Sequence, residues 1–537
     1  MKKLFSVLLT VAMTTTILAA CSSNNNNNSA NSASSSPAAE GTAAPASTSD
    51  PAAKKIEITT MDYSFSDPAP LDGKALQMIN EKFNVDYKPQ LVPYADYAAK
   101  MSATVAGGDT PDIMMIEDPA QGFKTWAQQG AFLDVTQYID KYPTFKNVPA
   151  DVWDAMKVDG KIVGIPRYYP STYNSHIILR QDWLDNLGLK MPTTLDELKQ
   201  VAIAFTKDDP DKNGKDDTYG LVMSSGFWPN YTPSAYWDAS SWYHKDDQGN
   251  LIPGIVAPAR KEMIGWLRDL YKEGAITKDF PVITNVVDSA KDFWSGKAGI
   301  YTGTARGMGD DGMKILAAAV PTAKLAPLPP FLAPDGSQGL TALGGYYGLA
   351  TLNAKLVDDP DKVDRIMQML DYGRKFTPLE ERNSSSPDFD WMYGGEGTGY
   401  TLENGVVAIT PSTDGLMPWW YMPDRAMWPA KDSDNQYSKT YTTPQMQDLI
   451  SQIETLDAQY EHYVNPFNRI FSQTYTKKGF DIEQKMYAQE AKIVVGETPL
   501  EDWDKIKDAY LSSGGNDIIK EVNEQLKGTE TTVWKKQ

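Results

Sequence analysis

A single cysteine in 537 residues, Cys21, leaves the chain no internal disulfide, so whatever it folds into must be held by burial and hydrogen bonding. The ~480 residues beyond the N-terminal region exceed what one hydrophobic core normally holds, which predicts at least two lobes. A hydrophobic content of 41% with 11% aromatic residues fits a folded, globular body. The charge balance, 51 basic against 70 acidic residues for a net of −19, argues against nucleic-acid binding, which wants a basic face. It also argues against electrostatic adhesion to anionic lipid, and a dispersed acidic surface of this kind serves solubility.

The position of the cysteine is informative in its own right. Lys2 and Lys3 precede an apolar run from Leu4 to Ala20, interrupted at Thr14 to Thr16 and too short to span a bilayer. Residues 1–20 therefore read as a secretory signal peptide. Leu18-Ala19-Ala20-Cys21 resembles the lipobox of bacterial lipoproteins. That resemblance implies cleavage before Cys21 and a diacylglycerol thioether on its sulfur; an ordinary cleavage site with an incidental cysteine is the alternative. Residues 21–55 then form a lipidated start and a disordered tether of Ser, Asn, Ala, Pro and Thr, lacking the apolar side chains that offset ordering entropy. Such a coil reaches roughly 30 Å. The expected location is the outer face of the cell membrane, held by lipid alone.

Beyond the tether, Ile56 to Met61 alternates like a strand, Leu71 to Phe83 and Tyr94 to Ala106 carry helical spacing, and Ile113-Met114-Met115-Ile116 is a continuous apolar run suited to a buried parallel strand. Asp159-Gly160-Lys161 reads as a hairpin turn leading into the strand Ile162 to Pro166. Strands alternating with helices predict an α/β architecture.

Several of these segments resemble a family. Gly108-Asp109-Thr110-Pro111-Asp112-Ile113, Asp159 to Pro166, Arg180 to Gly188 and Pro192 to Leu198, the last with a Thr cap before an acidic first helical turn, look like the family 1 extracellular solute-binding proteins of bacterial ABC importers. Lys492 to Glu497, Glu501 to Asp504 and Gly514-Gly515 are similar to the larger oligosaccharide-binding lipoproteins of that group. The resemblance implies a two-lobed periplasmic-binding-protein fold with a ligand cleft between lobes that close by hinge motion. By analogy the chain crosses near 167–174, 301–306 and 344–349. Lobe 1 is then expected from 56–168 with 301–349, and lobe 2 from 173–299 with 350–537.

Asp209-Pro210-Asp211-Lys212-Asn213-Gly214-Lys215-Asp216-Asp217 places oxygen side chains at loop positions 1, 3, 5 and 9 with Gly at 6, the spacing of an EF-hand-type loop. Lys215 would add its backbone carbonyl. The bidentate Glu at position 12 is replaced by Gly220, and Thr218 is a poor substitute for a carboxylate at position 10. The resemblance implies a truncated loop binding structural calcium through Asp209, Asp211, Asn213, Lys215 and Asp217. A solvated Asx-rich turn is the alternative.

A sugar-binding cleft needs flat apolar faces beside hydrogen-bonding groups. Loops combining both supply the candidates: Arg167, Tyr168 and Tyr169 with Tyr173; Trp228, Trp237 and Trp242; Tyr346; Trp391; and Trp419 with Trp420. Glu117 follows a buried strand at its carboxyl end, where open α/β sheets bind ligands. Arg306 is a candidate for a uronate or for pairing with Asp310. His176, His244 and His462 are far apart in sequence and form no metal-binding spacing, and no Gly-x-Ser-x-Gly or phosphate-binding loop is present. The expectation is a monomeric, non-catalytic protein that captures an oligosaccharide and delivers it to ABC permease subunits. The alternatives are a surface-anchored glycosidase or lyase, a ligand-sensing co-receptor, and a peptide-binding protein of the same fold.

Overall fold

A computed structural model describes residues 55–64, 69–117, 122–171, 175–227, 231–283, 286–305, 308–410, 415–527 and 534–535, all within the unit Pro51–Gln537. The signal segment, Cys21, the tether, Asp118, Tyr173, Trp228 and Arg306 lie outside the described residues.

Two sheets organise the molecule. The first has five strands in the order Val85–Pro93, Ile56–Ser64, Ile113–Ile116, Tyr346–Leu352 and Ile165–Tyr168. Its first three strands run parallel, as the continuous apolar run at 113–116 predicts; all four of those residues are buried. Helix Lys74–Phe83 buries Ala75, Leu76, Ile79 and Phe83 against this sheet, one face at helical spacing. The second sheet has the order Leu325–Pro327, Ser175–Arg180, Ala298–Thr304 and Tyr219–Leu221. Its central strand is buried on both faces: Ile177 and Leu179 join one core, and Ile178 between them joins another. Helices Leu195–Lys207, Pro258–Lys272 and Phe480–Val494 cover one face, and Asp310–Ala319 with Pro444–Gln459 the other.

Local signals behave as the sequence predicts. Thr194 Oγ1 accepts from Glu197 N at 3.2 Å, capping the helix Leu195–Lys207, whose buried residues Leu195, Leu198, Val201, Ala202 and Phe205 form one stripe. Asp159 and Gly160 both take positive φ, 50° and 79°, between the paired strands Lys157–Val158 and Lys161–Ile162. That is the backbone a two-residue hairpin turn requires.

The division between lobes differs from the expected one. Ala298–Thr304 and Leu325–Pro327 are strands of the second sheet, so the chain does not cross at 301–306. It crosses at Gly344 and Gly345, just before Tyr346–Leu352 enters the first sheet. Helix Pro360–Gly373 then buries Val363, Ile366, Met367 and Leu370 in the first core, where Met392, Tyr421, Met422 and Trp428 also lie. The expected boundary gave 350–428 to the second lobe. The correction has a packing cause: Tyr346–Leu352 inserts between two strands of the first sheet, and the helix that follows covers the sheet its strand has joined. The return to the second sheet's core is complete by Tyr441 and Met446.

A third, small sheet joins Gly339–Ala342, Glu461–Val464 and Trp534–Lys535. Its strand Gly339–Ala342 leads directly into the crossing, so this ribbon stands where the chain changes lobes. At Gly348 φ is +70°, and a Cβ there would lie 2.7 Å from the Ile116 carbonyl oxygen. The bulge between Tyr346 and Leu349 depends on that glycine.

Candidate functional site

A cleft of about 620 Å³ opens between the two sheets, lined from one side by Tyr94, Glu117 and Tyr347 and from the other by Ser175, Asp238 and Ser240. The crossing segment from Thr341 to Gly348 and the loop from Asn465 to Thr476 complete it.

The first wall is built around Glu117, at the carboxyl end of strand Ile113–Ile116. Its Oε1 accepts from Tyr94 Oη at 2.7 Å and from Tyr347 Oη. Burial, with the Glu117 charge added, raises both phenols well above the ordinary tyrosine range, so both hydroxyls keep their protons and donate inward. Among the described residues nothing donates to Oε2, which leaves an acceptor and the two phenolic oxygens facing the cleft. Tyr63 packs edge-on against Tyr94 and Tyr97, with ring centroids 5.9 and 5.3 Å apart. Burial pushes Tyr63 up to about 12, the Arg167 charge working in the opposite direction. Arg167 Nη1 donates to Tyr63 Oη at 3.3 Å, and its Nη2 pairs with Asp62 Oδ2 at 2.8 Å. Arg425 adds a second cation 3.7 Å from the same carboxylate.

The second wall is a loop wall. Asp238 Oδ1 accepts from the backbone and the hydroxyl of Ser240, at 2.9 and 2.8 Å. Burial nonetheless raises this carboxyl above the usual aspartate range; the Ser240 bonds and the Arg260 charge only partly offset it. Asn465 Nδ2 donates to Ser240 O at 3.0 Å and ties the far loop to this wall. On that loop Phe467 stacks on Trp242 at 5.3 Å and 9°. Lys124 also lines the cleft, and burial holds its ammonium below the ordinary lysine range.

Of the residues expected from sequence, Glu117 and Tyr346 line the cleft, and Tyr169 packs against Tyr347 with ring centroids 5.5 Å apart. The others stand elsewhere. Arg167 is buried in its ion pair behind the first wall. Tyr168 is buried against Trp428 and donates to Asp432 Oδ1 at 2.9 Å. Trp237 turns inward, its Nε1 donating to Glu262 Oε2 at 2.8 Å. Trp242 is buried and reaches the cleft only through Phe467. Trp391, Trp419 and Trp420 pack on the first core away from the cleft, Trp391 edge-on to Tyr372 at 5.4 Å and Trp419 to Trp420 at 5.0 Å. The reason is common to them: a ring next to a helix that covers a sheet is drawn into that core. Asp310, the other partner weighed for Arg306, accepts from the backbone and hydroxyls of Thr442 and Thr443.

The sequence reading missed the loop 465–476. Its Asn465, Phe467, Asn468, Phe471 and Tyr475 mix rings and amides between two helices, the same signal that singled out the other loops.

The acidic loop after helix Leu195–Lys207 is closed by its own side chains. Asp209 accepts from Asn213 N and Gly214 N at 3.1 and 3.0 Å, and Asn213 Oδ1 accepts from Lys215 N at 2.7 Å. Asn213 Nδ2 donates to Asp211 Oδ2 at 2.8 Å and to Asp217 Oδ1 at 3.1 Å, so two carboxylates converge on one atom. Burial first, then the neighbouring Asp209 and Asp217, raises Asp211 above the usual range. Among the described residues no three His, Cys, Asp or Glu side chains are gathered around a metal position. The donor set is nonetheless one of hard oxygens.

Among the described residues no helix is long and apolar enough to cross a membrane. Residues 67–355 match the family model for bacterial extracellular solute-binding proteins. The polygalacturonan/rhamnogalacturonan-binding protein YtcQ of Bacillus subtilis (strain 168) is 28% identical over 498 residues, spanning 91% of this chain and 94% of that protein. Lipoprotein LipO of the same organism is 25% identical over 489 residues, spanning 87% and 92%. The S. pneumoniae ABC-transporter substrate-binding protein FusA, solved in complex with kestose, superposes with a TM-score of 0.61 at 20% identity, covering 88% of this chain and 99% of FusA. An EF-hand mutant of FusA gives 0.60 at 19% identity, covering 88% and 99%. Both confirm the two-lobed α/β fold of periplasmic binding proteins. With its own two sheets and the cleft between them, the chain is a member of the bacterial extracellular solute-binding protein family.

Proposed function

We propose that this protein captures an oligosaccharide outside the cell and delivers it to the permease subunits of an ABC transporter. The observation that carries this reading is the cleft: Glu117, fixed by two tyrosine hydroxyls, faces a loop wall of Asp238, Ser240 and Asn465 with the Phe467 and Tyr475 rings beside it. Acceptors and short hydroxyls suit the many O–H donors of a sugar, and rings suit its C–H face. The names of YtcQ and of the kestose-bound FusA point to the same class of ligand. Ligand touching both lobes favours the closed form. The chain itself has the role of binding, with no bond made or broken.

Two features complete the proposal. Cys21, following the lipobox-like Leu18-Ala19-Ala20, carries the lipid that holds the protein at the outer membrane face; LipO is named a lipoprotein. Asp209, Asp211, Asn213, Asp217 and the Lys215 carbonyl would hold calcium as a structural staple, a role the EF-hand named for FusA supports.

The test is a thermal-shift screen of the purified protein against rhamnogalacturonan fragments, polygalacturonan fragments and kestose, each with and without EGTA. A ligand at about 100 times its Kd adds about 2.7 kcal/mol of stability and raises Tm. A stabilising sugar recovered intact supports capture. A cleaved sugar overturns it in favour of a glycosidase or lyase, and stabilisation by peptides alone overturns the sugar assignment. A Tm that EGTA leaves in place removes calcium from the loop.

A further inference from the structure

The fold brings together two of the three histidines that are far apart in sequence. His176 Nε2 lies 3.1 Å and His462 Nε2 3.6 Å from the same oxygen, Asp457 Oδ1. His176 is 2% exposed and His462 1%. Neither contact has hydrogen-bond alignment, and the Nδ1 atom of each ring is buried without a partner. His244 stands apart, with its Nε2 2.8 Å from Tyr236 O.

The placement gives this cluster its meaning. His176 is on strand Ser175–Arg180 of the second sheet, one residue after Ser175, which lines the cleft. His462 is on strand Glu461–Val464 of the small ribbon, three residues before the cleft-lining Asn465. Its neighbour across the ribbon, Leu340, precedes Thr341 at the cleft. Asp457 comes from the end of helix Pro444–Gln459, which packs on the second sheet. One carboxylate therefore stands between the second sheet and the ribbon that carries the chain between lobes, within ion-pair reach of both.

We propose that His176, Asp457 and His462 form a proton-sensitive tie beside the cleft, loosened once acidification has put a proton on both rings. One carboxylate can balance one imidazolium. A second proton leaves a net positive charge in a buried site, and each proton placed on Nδ1 is a donor with no acceptor. Among the described side chains, Asp457 is the one charged group within ion-pair distance of either ring. Gly303 stands opposite His176 and Leu340 opposite His462, neither of them charged, while the other backbone partner of His462 is a lysine, Lys535. Burial works against ionisation of Asp457, yet the two imidazoles outweigh it and hold the carboxyl below the ordinary aspartate range. The carboxylate is thus present throughout the range in which histidines titrate.

Hydrogen exchange of the full chain, read by mass spectrometry from about pH 7.5 to about pH 5 and corrected for intrinsic rates, tests this. Protection of peptides covering 175–180 and 461–464 should fall about tenfold, while those covering 56–64 stay unchanged. In His176→Gln/His462→Gln the pH dependence should vanish. If that variant does not fold, ring titration in the wild-type chain decides by carbon NMR. Loss of protection that follows two of the three histidine signals supports the tie. No local loss, a uniform loss, an unaltered loss in the variant, or a loss that tracks no ring overturns it. No ligand is used, so failure here leaves the proposed capture function untouched.

Discussion

The first lobe holds two aromatic clusters, one of tyrosines and one of tryptophans, with opposite fates. Tyr94 and Tyr347 meet at Glu117 and line the cleft, with Tyr63 packed behind Tyr94. Trp391, Trp419, Trp420 and Trp428 gather beside helices that cover the same sheet, and serve its core. Ring density alone therefore does not mark a binding surface. The difference lies in what the polar tip meets. Tyr94 and Tyr347 donate to a carboxylate that has no cationic partner among the described residues. Trp419 donates to the Arg425 carbonyl at 3.2 Å, a contact that only closes the fold.

The largest effect is expected at Trp428, 3% exposed against Tyr168 and Arg374. Trp428→Ala should lower stability by about 3–5 kcal/mol, measured by denaturant unfolding. The folded fraction should bind ligand as the wild type does; an affinity loss in that fraction would merge the two clusters. Glu117→Ala should do the reverse. Affinity for whichever sugar raises Tm should fall roughly 10- to 100-fold by calorimetry, since a charged acceptor is worth about 1.5–3 kcal/mol, with little change in unliganded Tm. Tyr347→Phe removes one of the two donors that fix Glu117 and should cost roughly fivefold, about 1 kcal/mol.

Asp238 sharpens the contrast between the cleft's two walls through pH. Its folded carboxyl is raised by burial, so the stability it contributes is complete below the unfolded aspartate range and is lost as pH rises through the folded value. Unfolding of wild type and Asp238→Asn followed from about pH 3.5 upward should diverge, the wild type losing ground to the variant as pH rises. Parallel curves would mean that Asp238 ionises as if solvated. The smallest effect concerns the calcium proposed for the acidic loop. Asp211 is raised by burial and by Asp209 and Asp217, so protons compete with the metal from above the usual aspartate range. The Tm increment from calcium should therefore shrink as pH falls through the acidic range.

Much was legible in the chain because it rests on near neighbours. The buried strand Ile113–Ile116 follows from a continuous apolar run, the Thr194 cap from Thr before an acidic turn, and the Asp159–Gly160 hairpin from residues that accept positive φ. Glu117 was legible for the same reason, since the end of a buried strand is local information. Family membership could be read because ordered local motifs accumulate along the chain.

What only the tertiary structure decided depends on contacts between distant segments. Which rings face the cleft turned on the packing of helices hundreds of residues away, as with Tyr168 against Trp428. The assignment of 301–327 to the second sheet and of 350–428 to the first turned on strand insertion, which leaves no local period. The meeting of His176 with His462 at Asp457 joins three elements whose sequences carry no sign of one another. Dihedral preferences and hydrophobic periods act over a few residues. The partner that buries a given face is selected by the whole chain at once.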